Sequence, residues 1–385
     1  MNFHETDERR ALRAAVAELG KRYGHRYMRD KVRTNERATE LWEEAGRYGY
    51  LGVNIPAEYG GGGGGIADLA AVCEELGAAG CPLLLMVVSP AICGSIIARF
   101  GTEAQKGRWL PGIADGTVTM AFGITEPEAG SNSHNLTTTG TRTDEGWVLN
   151  GRKVFISGVD QADAVLVVGR SADARTGKLK PALFIVPTDA PGFTWQAIEM
   201  ELVAPEKQFA LFLDDVALPA DALVGDEDAG LLQLFAGLNP ERIMVAAFSL
   251  GMARQALDTA VDYARTRTVW QGPIGAHQGI AHPLAVCAIE LEQARLLTQK
   301  AAWLYDAGDD EGTGEAANMA KYAAAEAAAR IVDQSIQTLG GNGLSVDYGI
   351  AALLVASRVA RVAPVSREMI LNYVAQHTLG LPRSY

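Results

Sequence analysis

The run Ala121-Phe-Gly-Ile-Thr-Glu-Pro-Glu-Ala-Gly-Ser-Asn132 joins an apolar strand, a break at Glu126-Pro127 and a loop of small residues, Ala129 to Asn132. Nothing bulky stands on such a loop, so backbone N–H groups and short hydroxyls can approach a ligand closely. It reads as a strand-to-loop binding edge. Leu238-Asn-Pro-Glu-Arg242 reads locally as a helix start, with an Asn cap, Pro at the first position and an acid near the positive end of the dipole. Gln337-Thr-Leu-Gly-Gly-Asn-Gly343 taken alone is a helix C-cap. The six glycines Gly60–Gly65 form a loop ahead of a helix. A phosphate cradle there would want the lysine of a P-loop, which is missing, and the composition is that of a flexible connector. Cys73, Cys81, Cys93 and Cys287 show neither metal spacing nor a disulfide framework and are expected to be reduced core thiols.

The elements that must position these residues fall into an α, then β, then α order. Glu8–Arg22 and Arg37–Tyr48 are amphipathic, Ile66–Leu76 is a third helix, and Thr102-Glu-Ala-Gln105 matches a capping box opening a helix that ends before Gly116. From about 117 to 227, β-rich runs take over: Val118–Ile124, Trp147–Ile156, Ala164–Val168, Ala182–Val186 and Phe209–Leu213, parted by turns such as Asn150-Gly151. Apolar 3.6-residue periodicity then predicts long helices over Leu231–Arg267, His282–Ala307, Ala316–Leu339 and Tyr348–Thr378, much of it alanine-rich. The fold class expected is α+β: an N-terminal helical domain (1–116), a middle β-barrel or sandwich domain (117–228) and a C-terminal four-helix bundle (229–385).

The 385 residues carry a net charge of −12 with 48% hydrophobic and 21% charged residues. That acidity argues against a nucleic-acid partner. The charged start Met1–Arg10 lacks an apolar signal region, and no run approaches a spanning helix, so a soluble, cytoplasmic protein without membrane attachment is expected. No metal site is expected.

The α–β–α layout and the segment Phe122–Ser131 resemble the acyl-CoA dehydrogenase family over essentially the whole chain. The resemblance implies FAD as cofactor, with Phe122, Ile124, Thr125, Gly130 and Ser131 at the flavin and Ser131 also near substrate. Asn150-Gly-Arg-Lys-Val-Phe-Ile-Ser157 resembles the second flavin strand, in which Phe155 packs on the ring system, Ile156 follows and Ser157 faces N5. Many relatives have tryptophan and threonine where this chain has Phe155 and Ser157; phenylalanine keeps the stacking surface but lacks the indole donor. Tyr263–Ile274 with His277-Gln278 resembles the arginine-aromatic-glycine segment, implying that Arg267 pairs with the pyrophosphate of an FAD in a neighbouring subunit. Val269, Trp270, His277 and Gln278 would belong to the same contact, and Gln337, Gly340 and Gly341 would meet that FAD across the interface. Sharing of this kind implies an oligomer, a homotetramer or a heterotetramer.

The reaction implied is α,β-dehydrogenation of an acyl-CoA: a carboxylate takes the α-proton, the β-hydrogen leaves as hydride, and an electron-transfer flavoprotein takes the electrons. Most relatives supply the base from a tyrosine-glutamate-glycine-threonine segment. Counted from Gly340-Gly341-Asn342-Gly343, that glutamate falls on Pro364, within Val362–Met369. Proline is no base and lacks the N–H that polarises the thioester carbonyl there; either the Val365 N–H takes over or the loop is shaped differently. Glu241 occupies the place from which isovaleryl-type and long-chain relatives deliver their base, and is the expected catalytic residue. Glu368 is the runner-up, in a place where the family has a flavin contact, beside Ser366. Asn239, Arg242 and Val365 are expected at the substrate. Glu126 and Glu128 are expected to be structural or solvent-facing, and neither His277 nor His282 catalytic. Competing readings on the same fold are an oxidase, a desulfinase, a carrier-protein-tethered dehydrogenase, or a silent subunit of a heteromer.

Overall fold

The computed structural model describes residues 4–173, 176–226 and 230–383. The domain boundary expected at 228–229 lies outside the described residues, as do the first three residues and the last two of the chain.

Helices α1 (Asp7–Thr34), α2 (Thr39–Arg47) and α3 (Ile66–Ala78) open the chain. A wide-turned segment, Val87–Gly94, runs directly into α4 (Ser95–Phe100), and α5 (Glu103–Asp115) follows. The capping box at α5 forms as expected: Thr102 and Gln105 each accept the other's backbone N–H, and Gly116 closes the helix at φ 81°. The glycine run is not the flexible connector its composition suggests. Gly62, Gly63 and Gly64 donate in turn to the carbonyls of Gly52, Ile55 and Val53 at 2.8–2.9 Å. A side chain at Gly61 would overlap Ile55, so glycine is required for close packing as much as for turning. The first N–H groups of α3 are filled from within, by the Asp306 carboxylate accepting from Ile66 at 2.7 Å and Ala67 at 3.0 Å.

Among the described residues, seven strands form one sheet: β1 (Met120–Gly123), β2 (Thr139–Thr143), β3 (Gly146–Ser157), β4 (Ala164–Ala172), β5 (Leu179–Pro187), β6 (Phe193–Ile198) and β7 (Gln208–Pro219). The hydrogen-bonded path runs β1-β4-β2-β3-β7-β6, with β5 on β4. The strand β4 is covered on both faces, which is why it reads as one apolar run rather than an alternation. Ala164, Leu166 and Val168 pack with Ile92, Ile96 and Leu110, while Val165 and Val167 pack with Trp147, Phe184 and Leu211. The half-polar strands β2 and β6 escaped the sequence reading.

Three long helices follow among the described residues: α6 (Gly230–Thr266), α7 (Gln278–Asp306) and α8 (Asp310–Leu339). Buried alanines on α8 and the Gly77–Gly251 crossing of α3 on α6 let these backbones approach closely. Two expectations fail here. Asn239-Pro240 does not start a helix, because α6 begins at Gly230 and carries Pro240 inside it. Proline donates nothing to the carbonyl four residues back, Ala236, and that acceptor is instead filled by the Tyr305 hydroxyl of α7 at 3.1 Å. The expected helix Tyr348–Thr378 is also divided, into α9 (Leu353–Val362) and α10 (Arg367–Tyr373), with Ala363–Ser366 between them around a cis Ala363–Pro364 bond. Proline disfavours helix in the residue before it and cannot continue the ladder.

Candidate active site

The loop after β1 and the end of β3 are tied together by a buried ion pair. Lys153 and Glu126, 0% and 3% exposed, meet at 2.8 Å. Lys153 also donates to the carbonyls of Ile124 at 3.1 Å and Val168 at 2.6 Å, so all three of its donors are used. Glu126 accepts from the N–H groups of Thr137 and Thr138 and from the Thr137 hydroxyl. Burial alone would raise the Glu126 carboxyl, but the Lys153 ammonium and the Thr137 and Thr138 donors outweigh it and hold it at about 2. Glu126 is therefore structural, and Glu128 is exposed.

This clamp supports a β-bulge at Lys153–Ile156 opposite β7. Phe155 sits on it at φ 57°, rare for a bulky side chain, and leaves 58% of its surface open. Its neighbour Val154 donates to the Thr125 carbonyl at 2.9 Å, so the two expected flavin segments are physically joined. Ile124 and Thr125 are half-buried, while Gly130 and Ser131 are exposed. A Cβ on Gly130 would meet nothing within 4 Å, so space stands open above that loop. Ser157 takes a hydrogen bond at 2.9 Å from Gln208, a partner the sequence reading missed. An exposed aromatic face, an open small-residue loop and an oriented hydroxyl suit a flat heteroaromatic cofactor. The Phe122 and Ile156 side chains lie in the core, 7% and 2% exposed, so any contact they make with a ligand is through backbone groups.

A second group gathers at the far end of α6. Arg267 is exposed beside a two-residue hairpin, β8 (Thr268–Val269) with β9 (Gly272–Pro273). Trp270, 89% exposed at φ 51°, meets His277 edge-to-face at 6.0 Å, and Val269 is half-buried. Gln278 opens α7; Gln337, Gly340 and Gly341 are exposed at the end of α8. Asn342 donates to the Tyr263 hydroxyl at 3.1 Å and thereby brings the glycine turn to the end of α6. Among the described residues no hydrogen bond, ion pair or ring contact joins this group to Phe155 or Thr125.

The third group lies where α6 passes the Val87–Gly94 segment. Gly237 lets α6 sit against Ile92 and Ile96, with room for no side chain. Ser89 accepts from Met120 N–H at 3.0 Å and Cys93 donates to the Ala121 carbonyl at 3.5 Å, so this segment also holds β1. Glu241 faces it: burial and the Glu241 carboxylate together raise the Cys93 thiol. Glu241 itself is half-buried and makes no hydrogen bond or ion pair with the described residues. Burial pushes its carboxyl to about 7, against the opposing pull of Arg242 and Lys321.

Arg242 is buried and turns back on its own helix, donating to the Leu238 carbonyl at 3.0 Å and Asn239 Oδ1 at 3.2 Å, while its Nε has no partner. Burial lowers its pKa. Lys321 of α8, fully buried, donates to the Val365 carbonyl at 2.6 Å. Burial, then Arg242, brings its ammonium down to about 8. The Val365 N–H is unpaired among the described residues. The hydroxyl of Ser366 is engaged as the cap of α10, accepting from Met369 N–H at 3.3 Å. Glu368 is exposed, 3.9 Å from Arg367, and lacks the enclosure that distinguishes Glu241. Lys321 was missed although a signal existed: it is a lone cation on the apolar stripe of Ala317, Ala320, Ala324 and Ala328.

Models of the acyl-CoA dehydrogenase N-terminal, middle and C-terminal domains match residues 6–117, 121–216 and 228–379. The chain is 67% identical over 384 residues to the acyl-CoA dehydrogenase FadE12 of Mycobacterium tuberculosis, covering 100% of this chain and 99% of that one. Its fold is similar to butyryl-CoA dehydrogenase from Megasphaera elsdenii, at TM-score 0.92 and 29% identity over 98% of this chain and 100% of that one. A glutaryl-CoA dehydrogenase from Mycobacterium smegmatis in complex with FADH2 is similar at TM-score 0.91 and 28% identity, covering 99% and 96%.

Proposed function

Because the chain belongs to the acyl-CoA dehydrogenase family, we propose that Glu241 is the base of its FAD-dependent acyl-CoA dehydrogenation. The observation that carries this reading is an enclosed carboxylate without a partner, set against the segment that holds β1, in a chain with Pro364 at the usual position. Bound FAD would supply the acceptor for the β-hydrogen as hydride. Phe155 offers its face to the ring system, and Thr125, Ser131 and Ser157 offer polar contacts. Glu241 receives the α-proton; a carboxyl near neutrality is well matched to that work at physiological pH. The Val365 N–H is the donor to the thioester carbonyl in place of the one proline lacks. Arg242 places a buried positive charge near Glu241, and Asn239 holds Arg242.

Three domains, 1–116, 117–228 and 229–385, divide this work, and the exposed Arg267, Trp270, Gln337 and Gly340–Gly341 serve an FAD of a neighbouring subunit in a homotetramer. The Ser366 and Glu368 turn completes the cofactor's surroundings. An electron-transfer flavoprotein is the acceptor, in the cytoplasm.

The test is anaerobic addition of acyl-CoAs of varied length and branching to the purified flavoprotein. Flavin bleaching is expected in the wild type and not in Glu241→Gln with FAD retained. Bleaching that persists in the variant removes Glu241 as base. Faster turnover with oxygen than with an electron-transfer flavoprotein removes the proposed acceptor.

A further inference from the structure

A fully buried lysine ordinarily has a carboxylate in contact, because an isolated buried charge is costly. Lys321 has none within ion-pair distance among the described residues; its one hydrogen bond goes to the Val365 carbonyl. The carboxylates in its electrostatic reach are differently engaged. Glu326, on its own helix, is held by Arg361 at 2.7 Å with Arg367 at 3.6 Å, and Glu368 on α10 is exposed beside Arg367. That leaves Glu241, across on α6, which has no hydrogen-bond or ion-pair partner among the described residues.

We propose that Lys321 is a positioning residue for proton abstraction: it pins the Ala363–Ser366 loop through the Val365 carbonyl and sets a positive charge opposite Glu241. The inference rests on Glu241 being the base. One side chain then holds the loop whose Val365 N–H faces the thioester and sets part of the field felt by the base that receives the proton. At pH 7 the ammonium is the major form of Lys321, and it neither gives nor takes a proton in the step. The proton passes from the α-carbon to the Glu241 carboxylate, and no bond to Lys321 forms or breaks.

The charges around the pair come from four elements. Glu241 is faced by Arg242 on its own helix, by Lys321 on α8 and by the Cys93 thiol of the Val87–Gly94 segment. Lys321 is faced by Arg242, Glu241, Glu326 and Glu368, and Tyr373 of α10 faces Arg242. Removing the Lys321 charge leaves burial opposed by Arg242 alone, so the Glu241 carboxyl moves further up.

The experiment uses full-length FAD-loaded protein with Lys321→Met, Lys321→Gln and Lys321→Arg. One readout is the acid limb of the kcat–pH profile. The other is exchange of acetyl-CoA α-hydrogens into D2O by NMR; acetyl-CoA has no β-carbon, so exchange reports proton removal alone. Lys321→Met is expected to slow exchange tenfold or more at pH 7 and to move the limb up by about one pH unit, with FAD retained. Lys321→Arg is expected to keep the limb at the wild-type position. Lys321→Gln keeps a donor without the charge, moves the limb as the methionine variant does, and decides the question if that variant does not fold. A limb unmoved in the uncharged variants overturns the proposal even if the rate falls, since loss of packing alone would do that. An arginine variant shifted as far as the methionine variant also overturns it. Exchange retained in Glu241→Gln would remove the base assignment itself, whereas exchange lost there with the Lys321 limb unmoved removes only the role of Lys321.

Discussion

A carboxylate kept near neutrality by enclosure should cost the fold stability, and Glu241→Gln tests that directly. The ordinary carboxyl value is 4.5 and burial raises Glu241 to about 7. The folded state therefore holds this proton more tightly than the unfolded chain between those values, and stability falls as pH rises through that window. At about 1.4 kcal/mol per pH unit the ceiling is about 3 kcal/mol above pH 7. Glu241 is only half-buried, so about 1–2 kcal/mol is the expected cost. Glutamine keeps the shape and never ionises. Thermal unfolding of FAD-loaded wild type and variant, at pH 5 and at pH 8, should show near-equal midpoints at pH 5. At pH 8 the variant should be higher by a few degrees. A variant no more stable than wild type at pH 8 would refute the enclosure argument, and with it the physical basis for a neutral-range base.

The same value fixes the activity profile: kcat should fall as pH drops below about 7, because the base becomes protonated, and a limb near pH 4–5 in a kcat–pH series would contradict the enclosed carboxylate. Tyr305→Phe leaves the Ala236 carbonyl without a donor and should cost about 1–2 kcal/mol; in a Pro240→Ala background the restored N–H fills it, so an equal loss in both backgrounds, read by denaturant unfolding, would discredit the account of α6. Lys153→Met strands the Glu126 carboxylate and should destabilise by about 3–5 kcal/mol with loss of bound FAD on gel filtration; full flavin content at wild-type stability would show that the clamp does not support the bulge.

What the sequence made legible was what local pattern determines. The periodicity of α6, α7 and α8, the capping box at Thr102 and the strand-then-loop form of Phe122–Ser131 are each decided within a few residues of chain. Asn239-Pro240 was misread because a proline at a helix start and one in a helix interior look alike locally; the difference lies in Tyr305, on another helix. The glycine run was misread because composition cannot tell a slack loop from one folded tightly onto Val53 and Ile55. Phe122 and Ile156 showed the position of a binding edge but not which side chains would turn into the core. Lys321 and Gln208 acquire their meaning only from partners that folding brings to them. The family resemblance named the cofactor and the reaction class; the enclosure that singles out Glu241 is a property of the packed chain.

The Val87–Gly94 segment lies between β1 and Glu241, bonded to the first through Ser89 and Cys93 and packed against the helix that carries the second. It acts as a spacer whose thickness sets the gap between β1 and the helix that carries Glu241. A change of side-chain volume at Ile92, which packs against Gly237, would then move α6 relative to the sheet. A chimera that joins the β-sheet of one relative to the helices of another must carry the spacer matched to both.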